Sequence, residues 1–287
     1  MAEHKETEAL RIDVKDLEIL EEERTIGLIT TRKQLAYITG VFVITVSVWE
    51  FLVWFFEYPQ FILPLPSDIA LSLWGHLVTD GDLWFHIGYT MMEVLLGFFI
   101  GAGIGLIMGV WIALSHFAER IFYPYIVAFQ TLPKVAIAPL FIIWMGIGIE
   151  SRIGIAATIA MFPVIVNTFV GLRHVERERI VFLQSLSATR WQIFTKVQFP
   201  SALPLIFAGL DLAIVFAVIG AIVGEMLSGL NGLGSAIMQK NYSLDTAGIF
   251  AILIVLGAVG TGSHSLMRWI QKKLVFLLVP AERTSEK

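Results

Sequence analysis

The chain contains no cysteine. Disulfide staples, thiolate nucleophiles and cysteine-ligated metals are therefore excluded, and the redox compartment is left open. Charge is scarce too. Asp, Glu, Lys and Arg make up 15% of the 287 residues, and the net charge is −4, so no basic footprint for nucleic acid is present. No G-x-x-x-x-G-K-[ST] stretch occurs, so the chain lacks a loop and lysine that could cradle nucleotide phosphates. His76, His86, His116, His174 and His264 are scattered without metal-ligand spacing, and none is read as a site. A membrane-embedded enzyme would need catalytic residues clustered at one face of the membrane, and this scatter argues against one. No cleavable signal peptide is apparent. The first apolar run begins near Leu35, behind an acidic segment, and is expected to act as its own insertion signal.

Apolar sequence is what the chain has in excess. Hydrophobic residues reach 56% and the mean hydropathy is +0.77, the composition of an all-α polytopic membrane protein. Residues 1–34 read as a polar, solvated cytoplasmic tail. Glu21, Glu22 and Glu23 stand in a row there, and Leu10, Val14 and Leu17 form a weak helical stripe, leaving a docking helix as the alternative. The transmembrane domain is expected over 35–270, followed by a second cytoplasmic tail over 271–287.

Six spans are expected. The first covers Leu35 to Tyr58 and ends in an aromatic belt of Trp49, Trp54, Phe55, Phe56 and Tyr58, with Glu50 and Glu57 reaching interfacial water. Pro64 and Pro66 then stop any helix, Ser67 can cap a new one, and Ile69, Leu73 and Leu77 share the face of a short amphipathic helix. The second span, Thr90 to Leu114, carries Gly97, Gly101, Gly105 and Gly109. A spacing of four puts these glycines on one face, where another helix can approach closely. The third span, Arg120 to Met145, contains Pro124, Pro133 and Pro139, with Lys134 between the last two. Irregular backbone at membrane depth is tolerated only inside protein or beside water, so this segment is expected to line the interior. Spans four, five and six are read over Arg152–Val170, Leu205–Leu227 and Ala247–Trp269, with a loop between the last two that dips back into the membrane. Nearly all basic residues fall on the side shared by both termini, which places the termini in the cytoplasm.

That side also holds the stretch from Gly171 to Pro204, with Arg173, Arg177, Arg179, Arg190 and Lys196. Ile180, Leu183 and Leu186 share a helical face, a break falls around Ser187 to Trp191, and a second amphipathic piece from Trp191 is expected to stop at Pro200. Two short helices with a small-residue corner make a knob suited to a groove on a soluble partner.

The segment SLSATRWQIFTKVQFPSALPLIFAGLDLA resembles the cytoplasmic EAA loop of bacterial ABC importer permeases. Leu203-Pro204 and Gly209 match that pattern, Ser187 stands where it has glycine, and Val181, Phe182 and Leu183 replace its Glu-Ala-Ala. The blocks LPLPSDI, LPKVAIAPLFIIWMGIG, FPVIVNTFVGL, VGEM and NGLGSAI, in this order over residues 60–275, resemble the nitrate/sulfonate/taurine-type permease subfamily. The resemblance implies a type I ABC importer permease fold and a multi-pass place in the bacterial inner membrane. It implies a dimer of two permease copies with the path between them. A cytoplasmic ABC ATPase would carry ATP and Mg and dock on each loop, and an extracytoplasmic binding protein would deliver the solute. The chain itself is expected to hold no cofactor and no metal, and to catalyse no reaction. Leu183, Ser187, Ala188, Arg190 and Trp191 are the residues expected to couple the ATPase. Sulfonates, nitrate, bicarbonate, pyrimidine precursors, flavins and aromatic acids all remain open as cargo. A self-contained secondary transporter or channel is the alternative, and it would leave the docking loop without a purpose.

Lys134, Glu225, Glu93 and Gln130 are the candidates for the translocation path. Charge in a membrane costs about 2.5–3.5 kcal/mol on insertion scales, so it faces partners or water. Lys134 either attracts an anion or pairs with Glu225 or Glu93. Glu225 either lines an outer gate or holds the backbone amides of the glycine-rich loop. Asp211 reads as structural or water-facing.

Overall fold

A computed structural model describes residues 14–229 and 231–278, with side chains described from 33 to 273 apart from those of residues 127, 130 and 131. Most of the tail stripe and the end of the 271–287 tail therefore lie outside the described residues. The chain falls into two units, residues 1–68 and 69–287.

The first unit is built on α1, Val14–Phe55. This helix starts inside the segment read as a polar tail and runs unbroken into the apolar span. Over residues 33–55 its side chains are almost all exposed, including Ile38, Phe42 and Phe51, as suits a helix surrounded by lipid. It ends at Phe55, before Glu57 turns to a φ of 50°. Glu50 does more than reach interfacial water. Its carboxylate accepts the Ser67 N–H at 3.1 Å and the Ser67 hydroxyl at 2.8 Å. Ser67 opens α2, Pro66–Trp74, so the carboxylate takes the capping role expected of the serine and lies where the helix dipole favours an anion.

The second unit holds the rest of the helices, and among the described residues there is no strand. A wide turn at Gly75–Thr79 links α2 to α3, Asp82–Leu114. There follow α4, His116–Thr131; a 3₁₀ turn, Lys134–Ile137; α5, Ala138–Met145; and α6, Ile149–Arg173. Beyond these come α7, Arg177–Ser185; α8, Arg190–Ile193; a wide turn at Phe194–Gln198; α9, Phe199–Ser228; α10, Leu233–Tyr242; and α11, Thr246–Leu278. The expected amphipathic face of α2 is present: Ile69 is buried, and Leu73 and Leu77 pack on Leu83, Leu233 and Ile252.

The core of this unit is α6 held between α3 and α9. Val94, Phe98 and Ala102 of α3 meet Ala156, Ala160 and Val164 of α6, and Ala213, Ala217 and Ala221 of α9 close the cluster. The glycine face of α3 lies on α6 as its spacing predicts. A Cβ on Gly97 would stand 2.5 Å from Ala156 Cβ, and one on Gly109 would stand 2.7 Å from Thr168 Cβ. On the other side, a Cβ on Gly220 would stand 2.6 Å from Ala156 Cα. Close backbone approach replaces the hydrophobic drive that lipid withholds.

Among the described residues, five helices are long and apolar enough to cross a membrane: Lys33–Phe55, Asp82–Leu114, Ile149–Arg173, Arg190–Ser228 and Thr246–Lys273. The expected third span is not one helix. It breaks at Leu132, whose backbone is extended before Pro133, and resumes as the short apolar piece Lys134–Met145. The expected stop at Pro200 is also corrected. The helix runs through Pro200 and Pro204, and the wide turn at Phe194–Gln198 lies just where a proline's missing N–H and ring would disturb a tight one. The loop expected after span five contains the helix α10.

Candidate functional site

Three places carry chemistry. The first is the knob between α6 and α9. The N–H of Ala188 donates to the Leu183 carbonyl at 3.0 Å, and the N–H of Ser187 donates to the Gln184 carbonyl at 2.9 Å. This pair of bonds is a Schellman ending of α7, and it requires a left-handed residue between helix and corner. Ser187 is that residue, with φ of 60°. The position where the resembled motif has glycine is thus one where glycine carries no steric penalty and serine does. Leu183, Ser187 and Ala188 are brought together by this one motif. Thr189 then caps α8, accepting the Gln192 N–H while the Gln192 side chain accepts the Thr189 N–H at 2.8 Å. Arg190 and Trp191 open that helix, Trp191 stacking near Phe194 at 5.6 Å between ring centres.

The corner is rigid and its apolar side chains are uncovered. Phe182, Leu186 and Trp191 are 64%, 63% and 71% exposed. Beside them lies a groove of about 670 Å³ lined by His116, Arg173, Ile180, Gln184, Arg190 and Trp191, among others. Arg173, at the end of α6, is paired with Glu119 of α4 and ties the groove's wall to the bundle.

The second place is a cavity of about 260 Å³ between the break after α4 and the middles of α6 and α9. Lys134, Phe162, Pro163, Val166, Asn167, Leu212 and Phe216 line it. The Lys134 amine lies 5.7 Å from the centre of the Phe162 ring and 6.0 Å from that of Phe216. It does not take Glu225 or Glu93, the partners considered for it from sequence. The Gln130 side chain lies outside the described residues.

Those two carboxylates form the third place, a buried network at the ends of α6 and α9 remote from the knob. Arg152 Nη1 lies 2.7 Å from Glu93 Oε1 and donates to the Asn231 carbonyl at 2.9 Å. Glu225 accepts the Thr90 hydroxyl at 2.7 Å and the Gly234 N–H at 2.7 Å. Thr90 Oγ1 in turn accepts the Leu233 N–H, and His86 Nδ1 accepts the Gly232 N–H. Thr90, Glu93 and Glu225 are fully buried, and Arg152 nearly so. Glu225 thus holds one backbone amide at the start of α10, that of Gly234, while Thr90 and His86 take those of Leu233 and Gly232. Arg152 and Thr90 appear in the sequence reading only as span boundaries, and His86 is read there as no site. An arginine at the mouth of a span reads as one that snorkels to water. Asp211 is paired with His264 of α11 at 2.8 Å.

Outside the spans, Asp245 binds Lys240 at 2.9 Å and accepts the Gly248 N–H at 2.9 Å. Burial pushes its carboxyl up. The Lys240 hydrogen bond, the Gly248 N–H and the charges of Lys240 and His76 together outweigh that and hold it below the ordinary aspartate value.

An apolar helical bundle with a broken helix beside a mid-depth cavity, and a rigid knob between two spans, defines a membrane transport subunit. Residues 101–276 match the family of binding-protein-dependent transport system inner membrane components, and the chain belongs to that family. It is 36% identical to the riboflavin transport system permease protein RibX of Chloroflexus aurantiacus, covering 76% of this chain and 81% of RibX. It is 30% identical to the formylaminopyrimidine transport permease protein ThiX of Halalkalibacterium halodurans (84% and 94%), and 28% identical to the taurine transport system permease protein TauC of Escherichia coli (82% and 89%). Its fold is similar to a chain of the inward-facing MetNI methionine ABC transporter, with a TM-score of 0.57 and 20% identity over 68% of this chain and 95% of that one. The chain is an ABC importer permease subunit, a transport protein of the sulfonate/taurine-type group set in the membrane by several apolar helices.

Proposed function

We propose that this chain is the permease of an ATP-driven importer in a bacterial inner membrane. It crosses the membrane six times, the broken segment from α4 to α5 serving as one crossing, with both termini in the cytoplasm. The knob then faces the cytoplasm, and an ABC ATPase seats on it, one on each of two identical permease copies. ATP and Mg belong to that partner. A binding protein brings a small anionic or heteroaromatic solute to the opposite face. ATP-driven closure of the ATPase pair carries the knobs together. α9, joined to the knob through the wide turn at Phe194–Gln198, transmits that movement as alternating access, because its 30 residues make a lever of about 45 Å.

One observation carries this reading. The corner at Ser187 is fixed by a Schellman ending and a capping box, yet it leaves Phe182, Leu186 and Trp191 uncovered. A rigid apolar knob with basic flanks is complementary to a groove, and helix-in-groove docking uses such anchors. The test is the full transporter in proteoliposomes. Replacing Ser187→Glu is expected to abolish binding-protein-stimulated ATP hydrolysis and uptake together. Normal uptake by the variant, or uptake by this chain without ATP or partners, overturns the reading.

A further inference from the structure

We infer that the groove beside the knob, with an apolar groove that continues from it along α3 and α9, is a binding site for one anionic phospholipid. The phosphate sits at Arg173 and Arg190, and an acyl chain lies between the two helices. The site itself needs only a chain set in a membrane. The permease reading, on which this part rests, adds that the lipid comes from the cytoplasmic leaflet and braces the ATPase-docking knob from the bundle side.

Three observations meet at this place. The first is charge. Arg173 closes α6 and Arg190 opens α8, and both line the groove of about 670 Å³. Gln184 and Gln198 line it too, and no carboxylate does. Glu119 takes part of the Arg173 guanidinium and lies 3.3 Å from His116 Nδ1, but it is not part of the lining. Among the described residues no carboxylate pairs with Arg190. Arginine presents forked donors that match phosphate oxygens, and the two amides add neutral donors.

The second is continuity with apolar surface. A groove of about 490 Å³ runs between Leu106, Val110 and Trp111 of α3 and Phe199, Leu203 and Leu210 of α9, and no lining residue carries charge. The two grooves adjoin. Leu114, in the first, follows Val110 and Trp111 by four and three positions and so shares their face of α3. Phe194, in the first, has its ring 5.8 Å from that of Phe199, in the second. From Phe199 to Leu210 the helix rises about 16 Å, enough for much of an acyl chain.

The third is depth. The apolar spans Asp82–Leu114 and Ile149–Arg173 both end at the first groove. Arg173 and Trp111 thus stand where hydrocarbon gives way to lipid head groups, the level at which tryptophan gathers. Basic pockets between spans at that level suit anionic head groups. A soluble partner reaches the first groove but not the second, which lies along the spans. Only a molecule carried by the membrane, with a phosphate above an apolar chain, fits both.

The probe is dioleoylphosphatidylglycerol, added to the delipidated full chain in detergent and counted by native mass spectrometry. One tightly held copy per chain is expected, with zwitterionic dioleoylphosphatidylcholine held more weakly. Arg190→Gln should weaken the phosphatidylglycerol at least about tenfold, the loss expected for a hydrogen bond between charged groups. Ile107→Trp, which fills the open edge of the apolar groove and leaves the charge alone, should weaken it as well. Arg190 and Ile107 are both exposed, so neither change disturbs the core. Lys272→Gln and Lys273→Gln, at exposed basic positions of α11, should leave binding unchanged. Glycerol phosphate, the head group without chains, should not compete. Equal retention of the two lipids, unchanged binding in Arg190→Gln or Ile107→Trp, loss in the α11 variants, competition by glycerol phosphate, or a dimer that retains no lipid overturns the inference. Co-purification of the ATPase with the parent chain separates the two readings. Absent lipid with the ATPase retained counts against this site alone. Arginine-dependent lipid binding without ATPase docking counts against the permease reading and leaves the site standing.

Discussion

Arg152 of α6 and Glu93 of α3 meet at 2.7 Å with both side chains out of contact with solvent. Their pairing, with Glu225 of α9 beside them on Thr90 and Gly234, fixes the three central helices to one another and to the start of α10. Apolar residues, many of them small, hold the helices together lower down, so the polar network sets the register of this end.

Removing one member of such a pair leaves a buried charge uncompensated, at a cost of about 3–5 kcal/mol, whereas replacing both by apolar groups is often close to neutral. Arg152→Met is therefore expected to lower thermal stability in detergent severely. The double variant Glu93→Leu, Arg152→Met should recover much of the loss. A single variant as stable as the parent would show that the pair does not hold this end.

Ser187 pays a left-handed penalty that glycine does not, roughly 1 kcal/mol. Ser187→Gly is expected to raise stability by about that amount and to keep stimulated ATP hydrolysis. Ser187→Val should lower both, because a β-branched side chain is least at ease with positive φ. Equal melting temperatures for the three proteins would count against the strained corner.

Two glycines of α3 should respond oppositely to alanine. At Gly97 the new methyl group would meet Ala156 Cβ at 2.5 Å and the Ala157 backbone N at 3.2 Å, so α3 and α6 must separate. Overpacking of this kind costs about 1–3 kcal/mol. At Gly103 nothing lies within 4 Å, and alanine gains up to about 1 kcal/mol of helix preference. Thermal unfolding of the two variants decides it, and a loss at both positions would contradict the close approach.

Asp245 gives a pH signature. Its folded-state carboxyl is held below the ordinary value near about 3.9, so its contribution to stability is fully present above that pH. The contribution is lost as pH falls through the lower folded value. The stability difference between the parent and Asp245→Asn should therefore be flat from about pH 5 to 8 and shrink below about pH 4. A difference that grows on acidification would reverse the assignment. His76 is a second group whose charge acts on Asp245, so His76→Gln provides the background for the comparison.

Much of the architecture could be read from local pattern. Runs of apolar residues located the long helices because a bilayer demands length and hydrophobicity from each one separately. The four-residue glycine spacing on α3 located a packing face, since helical geometry alone puts those positions in line. The corner at Ser187 was legible as a break, and its place in a docking motif was legible by resemblance. What the sequence could not show was any pairing across helices. Arg152 meets Glu93, and lies within electrostatic reach of Glu225, only because α3 and α9 pack on α6; the two carboxylates are 59 and 73 positions away in the chain. Lys134 had Glu93 and Glu225 as possible partners; the tertiary structure pairs Glu93 with Arg152 and Glu225 with Thr90 and Gly234, and sets the Lys134 amine near the rings of Phe162 and Phe216. Periodicity fixes which residues share a face of one helix. Which face of another helix they meet depends on packing between distant segments, and that alone decided where the buried charges lie.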